Sequence, residues 1–317
     1  MSNALQISEV AAHLTQDLQL RTECIASLTP TQQKREVSSA PPIDILIGTY
    51  DNIISHIRAG TVSTSDLQHL IIDEVEGFLD YRTVDDNLPF LKEFVDHERG
   101  TTKCQVILAG AILPAAGFTK LSDVIPDLQR YLNPLCHVPQ RHVTQSFHFV
   151  NNKNKPQHFT DMIKGCVEKQ NMNFQRPLIF CNYSNTAFWL HKHLISEGVD
   201  NILLARSVNR RHKDALMRTE LPSTDYPIIA VDGVSYGLDF RDIGLVVNYE
   251  FPFTYEDYIR RSGRTGRMST NSNMCEVVSY VSYKKDKSLF NIVKNSINSQ
   301  ECKAYSLLSP NKFGWVK

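Results

Sequence analysis

A chain of 317 residues with 42% hydrophobic and 21% charged side chains is long enough for two domains, and its composition excludes general disorder. Lys plus Arg equals Asp plus Glu at 34 each, so the charge excludes a uniformly basic coat, and any surface for an anionic partner has to be a local cluster. Seven cysteines (Cys24, Cys104, Cys136, Cys166, Cys181, Cys275 and Cys302), odd in number and never in a CxxC pair, exclude a paired disulfide framework and zinc-ribbon spacing.

The opening residues, MSNALQISEVAAHL, carry neither the basic region nor the apolar stretch of a secretory signal. No apolar run approaches the ~20 residues that a membrane-spanning helix requires. The expectation is an intracellular protein without a membrane span, with cytoplasm, nucleus and mitochondrion not distinguished.

Short apolar runs then recur along the chain: Ile43–Ile47, Leu70–Ile72, Val106–Leu108, Pro177–Phe180, Asn201–Leu204, Pro227–Val231 and Leu245–Val247. Runs this short, alternating with helical patterns, predict parallel strands buried on both faces. A helix is predicted over Asn185–Leu194, ending near Gly198. The fold class is α/β. The domain boundary is placed at 139/140, beside Pro139-Gln140-Arg141, giving domains 1–139 and 140–317. In such sheets ligands bind beyond the carboxyl ends of the strands, so the residues that follow each apolar run are the ones to inspect.

After Ile72 comes Asp73-Glu74-Val75-Glu76. Adjacent carboxylates at a strand end are the Walker B arrangement of nucleotide hydrolases, the first for Mg²⁺ and the second for the attacking water. Taken alone the signal is weak, because an acidic first helical turn is also a common response to the helix dipole. More specific is Tyr258-Ile259-Arg260-Arg261-Ser262-Gly263-Arg264-Thr265-Gly266-Arg267. Four arginines so close repel one another unless an anion is bound, and their planar forks match phosphate oxygens. The bland reading is a solvated basic loop.

The run Val247-Asn248-Tyr249-Glu250-Phe251-Pro252 through Arg267 resembles the DEAD-box helicase segment that ends in motif VI. Ala230–Asp239 looks like motif V, Leu178–Asn182 like motif IV, Asp73–Glu76 like motif II, Leu108–Pro114 like the strand and turn of motif III, and Ile45–Thr49 like the lead into motif Ib. The order of all six matches. The resemblance implies two tandem RecA-like domains with parallel sheets, the first lacking its N-terminal phosphate-loop strand. It further implies an RNA-stimulated ATPase that remodels RNA or RNA–protein complexes, with ATP and Mg²⁺ as cofactors. Asp73 would lie near the metal and Glu74 at the hydrolytic water, with Arg264 and Arg267 as arginine fingers. Gly237, Asp239 and Arg261 would serve the nucleotide side, Asp239 at the ribose and Arg261 in support of the domain interface. Thr49, Arg210 and Lys213 would touch the RNA sugar-phosphate backbone, contacts that position RNA without reading sequence. The implied partners are RNA and ribonucleoprotein components, with no membrane, and the expected state is a monomer.

Several positions depart from the family. No GxxxxGK[ST] loop, and no Gly-Lys pair, occurs in the 317 residues, and Ala4-Leu5-Gln6-Ile7 resembles the end of motif Ia, so the sequence is expected to begin inside a longer one. Motif II ends in Glu76 instead of Asp, motif III reads Gly110-Ala111-Ile112 instead of Ser-Ala-Thr, and motif Ib reads Thr49-Tyr50-Asp51-Asn52 instead of Thr-Pro-Gly-Arg. Arg260 stands for the usual His, Val231 and Tyr236 replace a Thr and an Arg, and no double-glycine motif is evident near Ser27-Leu28. The competing reading is an ATP-independent RNA- or protein-binding scaffold derived from a helicase. A sheet without its central strand is costly to leave uncovered, so the first domain is expected to be the less stable. His137, His142 and His148 are read as structural or surface residues, not metal ligands. Phe188, Trp189, Phe251 and Phe253 are read as core or interface residues, not base-stacking platforms.

Overall fold

The structure, a computed structural model, describes residues 3–25, 42–79, 84–95, 104–111, 115–129, 131, 138–151, 153–169, 176–205, 225–232, 240, 243–266, 275–282 and 284–299. The chain divides into two compact units, Met1–Phe78 with Arg82–Ala109, and Leu79–Tyr81 with Gly110–Lys317. The division falls after Ala109, whereas the boundary drawn from sequence lies at 139/140; the large sheet of the second unit starts beyond both.

The first unit runs α1 (Asn3–Thr15), β1 (Thr22–Cys24), β2 (Ile45–Ile47), α2 (Tyr50–Arg58), β3 (His69–Ile72), the single turn α3 (Val75–Phe78), α4 (Val84–Val95) and β4 (Gln105–Leu108). Among the described residues its strands form two parallel pairs, β1 with β2 and β3 with β4. The expectation of fully buried strands does not hold here. Ile71 and Ile107 face each other in register and are 64% and 40% exposed, because the described residues give that face of the pair no cover.

The second unit runs α5 (Ala115–Val124), β5 (Thr144–Phe149), α6 (Lys155–Lys169), β6 (Arg176–Cys181), α7 (Ser184–Ser196), β7 (Ile202–Leu204), β8 (Ile228–Val231), β9 (Ile243–Asn248), α8 (Tyr255–Ser262), β10 (Glu276–Val281) and α9 (Lys287–Ser299). Its six strands are all parallel, in the order β5-β10-β9-β6-β8-β7. Here the apolar runs do lie buried on both faces, as the residues of β6 show by pointing alternately up and down. Leu178 and Phe180 pack with Tyr255, Tyr258 and Val293 of α8 and α9, while Ile179 and Cys181 pack with Phe159 and Ile163 of α6 and with Ala187, Leu190 and Leu194 of α7. Helices on both faces leave the sheet's carboxyl edge as the open place for chemistry.

Candidate functional site

At the carboxyl edge of the second unit, α8 begins with a reciprocal cap. Thr254 Oγ1 accepts from Asp257 N at 3.1 Å and donates to Asp257 Oδ2 at 2.8 Å. The helix then carries Arg260 and Arg261 in opposite roles. Arg260 Nη2 bonds Asp257 Oδ1 on the same helix at 2.7 Å. Arg261 turns inward and is 1% exposed. Its Nε donates to Asp232 Oδ1 at 2.9 Å and its Nη2 to Asp232 Oδ2 and, at 2.6 Å, to Asn182 Oδ1; Nη1 donates to Asn248 Oδ1 at 3.2 Å and to the Glu250 carbonyl at 2.9 Å. The guanidinium also lies 5.2 Å from the Phe180 ring centre.

A guanidinium has five N–H donors, and these contacts use them all. Arg261 therefore has no donor left for a nucleotide phosphate in this arrangement, which corrects its placing on the nucleotide side. It joins the ends of β6, β8 and β9 to α8. The expectation that the arginine cluster needs a bound anion is likewise met in part by the protein, since Asp257 and Asp232 neutralise two of the four.

Glu250 completes this edge. Its carboxylate accepts from Asn182 N at 2.7 Å, Tyr183 N at 3.3 Å and Thr186 Oγ1 at 3.1 Å, capping α7 where the N-cap residue Tyr183 offers no side-chain bond. Burial pushes the Cys181 thiol well up, so this cysteine is a neutral packing residue and no nucleophile.

Past α8 the chain is pinned at two points around Arg264. Thr265 Oγ1 donates to the Ile243 carbonyl at 2.7 Å, and His142 Nε2 donates to the Gly266 carbonyl at 2.8 Å. Gly266 has φ 71°, and a Cβ there would come within 2.4 Å of the Gln140 side-chain amide and 2.5 Å of Val143. Arg264 is partly exposed on this fixed turn. Gly237, Asp239, Arg267, Arg210 and Lys213 lie outside the described residues, as do Tyr236, Ile112 and His137.

In the first unit, Asp73 and Glu74 follow β3. Asp73 Oδ1 accepts from Glu74 N at 2.9 Å and the side chain is exposed. Val75 N donates to the Ala109 carbonyl at 2.9 Å, tying the ends of β3 and β4 together. Glu74 takes φ 51°, a left-handed conformation uncommon for a side chain that is not glycine and one that concentrates at functional sites.

Thr49 is the N-cap of α2, with no side-chain cap bond. Of the unusual residues that follow it, Asp51 is exposed, and Tyr50 and Asn52 make internal contacts. Tyr50 meets Phe78 and Phe90 edge-on at 5.4 and 5.5 Å, and Asn52 Nδ2 donates to the Ile25 carbonyl at 2.8 Å. Asn52, which stands where the family pattern has Arg, is thus an internal tether.

The His148 ring lies 4.9 Å from that of His158, between centres, with the planes tilted by 53°, and His158 is hydrogen-bonded to the Tyr280 hydroxyl at 2.8 Å. Among the described residues no group of three or more His, Cys, Asp or Glu is placed to hold a metal ion. Of the four aromatics read as core or interface, Phe251 is buried and Phe188 packs against the core, while Trp189 and Phe253 stand half exposed, outside the core. The structural partners missed in the sequence are Asp232 and Asn248; the signal available was their position at the ends of apolar runs.

Residues 2–116 match the DEAD/DEAH box helicase family model and residues 154–269 the helicase conserved C-terminal domain. The chain belongs to the DEAD-box helicase family, and its fold is a pair of RecA-like domains with parallel sheets. A probable ATP-dependent RNA helicase of Mus musculus, DDX28, is 26% identical over 300 residues, covering 90% of this chain and 55% of that protein. The mitochondrial ATP-dependent RNA helicase mrh4 of Neurospora crassa is 23% identical, covering 83% of this chain and 49% of that one. The chain thus spans about half the length of these relatives. Among solved structures, Saccharomyces cerevisiae Dbp5 bound to RNA and ADP BeF3 superposes with a TM-score of 0.76 at 20% identity, over 93% of this chain and 73% of that one. Mss116p bound to single-stranded RNA and AMP-PNP gives 0.71 at 14% identity, over 93% and 60%.

Proposed function

We propose that this protein is an ATP-dependent RNA helicase, an RNA-stimulated ATPase that remodels RNA or RNA–protein complexes. The observation that carries the reading is the pair of collinear family matches, with an acidic pair at the end of β3, Glu74 of it left-handed, in one unit and a pinned arginine turn after α8 in the other. Asp73 is assigned to Mg²⁺. A single exposed carboxylate fits an ion that takes one or two protein oxygens and the rest from phosphates and water, and that ion would neutralise charge on the phosphates.

Glu74 is assigned to orient the attacking water. Arg264 and Arg267 are assigned to the charge that develops on the transferred phosphoryl group, with Arg261 holding in place α8, which leads into them. Gly237 and Asp239 are assigned to the nucleotide. Thr49, Arg210 and Lys213 are assigned to the RNA backbone. The ATP-independent scaffold is the second reading, favoured by Tyr50 and Asn52 being packing residues.

The test is ATP turnover with and without single-stranded RNA. The 317-residue chain alone, which has no loop to cradle the β- and γ-phosphates, is expected to show no stimulated turnover. A longer product carrying such a loop ahead of Ala4 is expected to show it, and to lose about a thousandfold in Arg264→Ala. Inactivity of that longer product would favour the scaffold. Turnover by the 317-residue chain that disappears in Glu74→Gln would contradict the assigned need for the loop.

A further inference from the structure

Three neighbouring strands of the second unit, β6, β9 and β10, end in loops that place two exposed aromatic rings and a lysine together. Tyr183 follows β6 and is 52% exposed; Phe253 follows β9 and is 53% exposed. Their rings meet edge to face at 5.7 Å between centres. Lys285, from the loop after β10, sets its ammonium 5.5 Å from the Phe253 ring centre, and Lys284 beside it is exposed as well. The carboxylates on these same loops are engaged. Glu250 caps α7, and Asp286 accepts from Ser282 N at 2.8 Å.

We propose that Tyr183, Phe253, Lys284 and Lys285 form a stacking site for an unpaired base of single-stranded RNA, the rings taking the base and the lysines the flanking phosphates. The proposal rests on the RNA-binding reading above and goes beyond its backbone contacts. Large exposed rings are costly to leave in water, and every base offers a π face with a phosphate beside it, the combination this patch matches. The cation already seated on Phe253 supplies the charge such a site needs. A site of this kind tolerates any sequence, since every base can stack, and it would select unpaired strands over duplex.

The experiment is fluorescence anisotropy of the full 317-residue chain with a single-stranded oligouridylate and with an abasic ribose-phosphate strand of the same length. Wild type is expected to bind the base-bearing strand more tightly. The double variant Tyr183→Leu with Phe253→Leu is expected to lose about tenfold on that strand and nothing on the abasic one, so the preference collapses. Tyr183→Phe with Phe253→Tyr restores it, which separates stacking from misfolding. Lys284→Gln with Lys285→Gln weakens both strands and flattens the salt dependence. Unchanged affinity of the leucine pair for oligouridylate overturns the site and leaves the patch to another partner, such as an acidic protein segment. Failure of wild type to bind either strand overturns the site together with the RNA-binding reading.

Discussion

Arg261 and Asp232, 29 residues apart in the chain, form a two-pronged ion pair in which Nε donates to Oδ1 at 2.9 Å and Nη2 donates to Oδ2. Asp232 follows β8 and Arg261 lies in the last turn of α8, so the pair fixes the helix that leads into the arginine turn. The guanidinium is 1% exposed. Removing it leaves a carboxylate, two amide oxygens and a carbonyl without their donor.

Arg261→Met is therefore expected to destabilise the second unit by about 3–5 kcal/mol, read from urea unfolding. Arg261→Lys recovers little of this, because an ammonium cannot place five donors in one plane. The variant with Asp232→Leu added is expected to lose much less than the two single losses combined, since neither partner is then left alone. Strict additivity would show that the two side chains do not interact.

Gly266 yields a second prediction. Its φ of 71° and the close approach of Gln140, Val143 and His142 leave no room for a side chain. Gly266→Ala is expected to cost about 1–3 kcal/mol and to release the turn that carries Arg264. Gly60, with φ 66° but nothing within 4 Å, is the control: Gly60→Ala should cost about 1 kcal/mol through the backbone alone. Equal losses at the two positions would mean that the crowding around Gly266 relaxes freely.

The second unit was largely legible in the sequence because its runs are apolar without interruption. Leu178-Ile179-Phe180 or Ile228-Ile229-Ala230-Val231 can only be buried on both faces. β10 was less legible, since Ser279 breaks its run; the structure satisfies that buried hydroxyl with a bond from Asn248 Nδ2 at 2.9 Å on the adjacent strand. β1 is three residues, Thr22-Glu23-Cys24, with no apolar pattern to read. The arginines illustrate the limit best. Arg260 and Arg261 are neighbours of identical type, and only the helical turn decides that one faces Asp257 and the other enters the core. Likewise Asn52 gave no sign that it would reach back to Ile25.

The pH dependence of the second unit should carry a contribution from His148. Its ring is held below the ordinary histidine value of 6.5, first by burial and then by the charge of His158, with Glu276 opposing. The fold thus favours the neutral ring. Its contribution is fully present above the unfolded-state value and is lost as pH falls through the lower folded value. Melting temperature is expected to fall as the pH drops below the ordinary histidine value of 6.5, and less steeply in His148→Gln. Parallel profiles for the two proteins would show that His148 titrates alike folded and unfolded.

Glu74 combines an unfavourable backbone with a proposed catalytic role, so its substitutions should separate the two. Glu74→Gly relieves the left-handed conformation at φ 51° and is expected to stabilise the first unit by about 1 kcal/mol. Glu74→Val, branched at Cβ, is expected to destabilise it. Both should leave a loop-bearing longer product without turnover. A glycine variant no more stable than wild type would show that the conformation is not strained in solution.

The two units should also differ in resistance to cleavage. The six-stranded sheet buries strands such as β6 and β9 completely under helices on both faces, whereas β3 and β4 leave Ile71 and Ile107 exposed opposite each other. Local opening is cheap where few apolar side chains are lost from the core, and a protease samples the open state. Limited trypsin digestion of the full chain is therefore expected to cut within the first unit early, at sites such as Arg58 or Lys92, and to leave a resistant fragment that begins near Gln140. Mass spectrometry of the digest over time identifies that fragment. Equal survival of both halves would mean that the exposed isoleucine pair costs the first unit nothing, and that its short strand pairs are as firmly held as the sheet in the second.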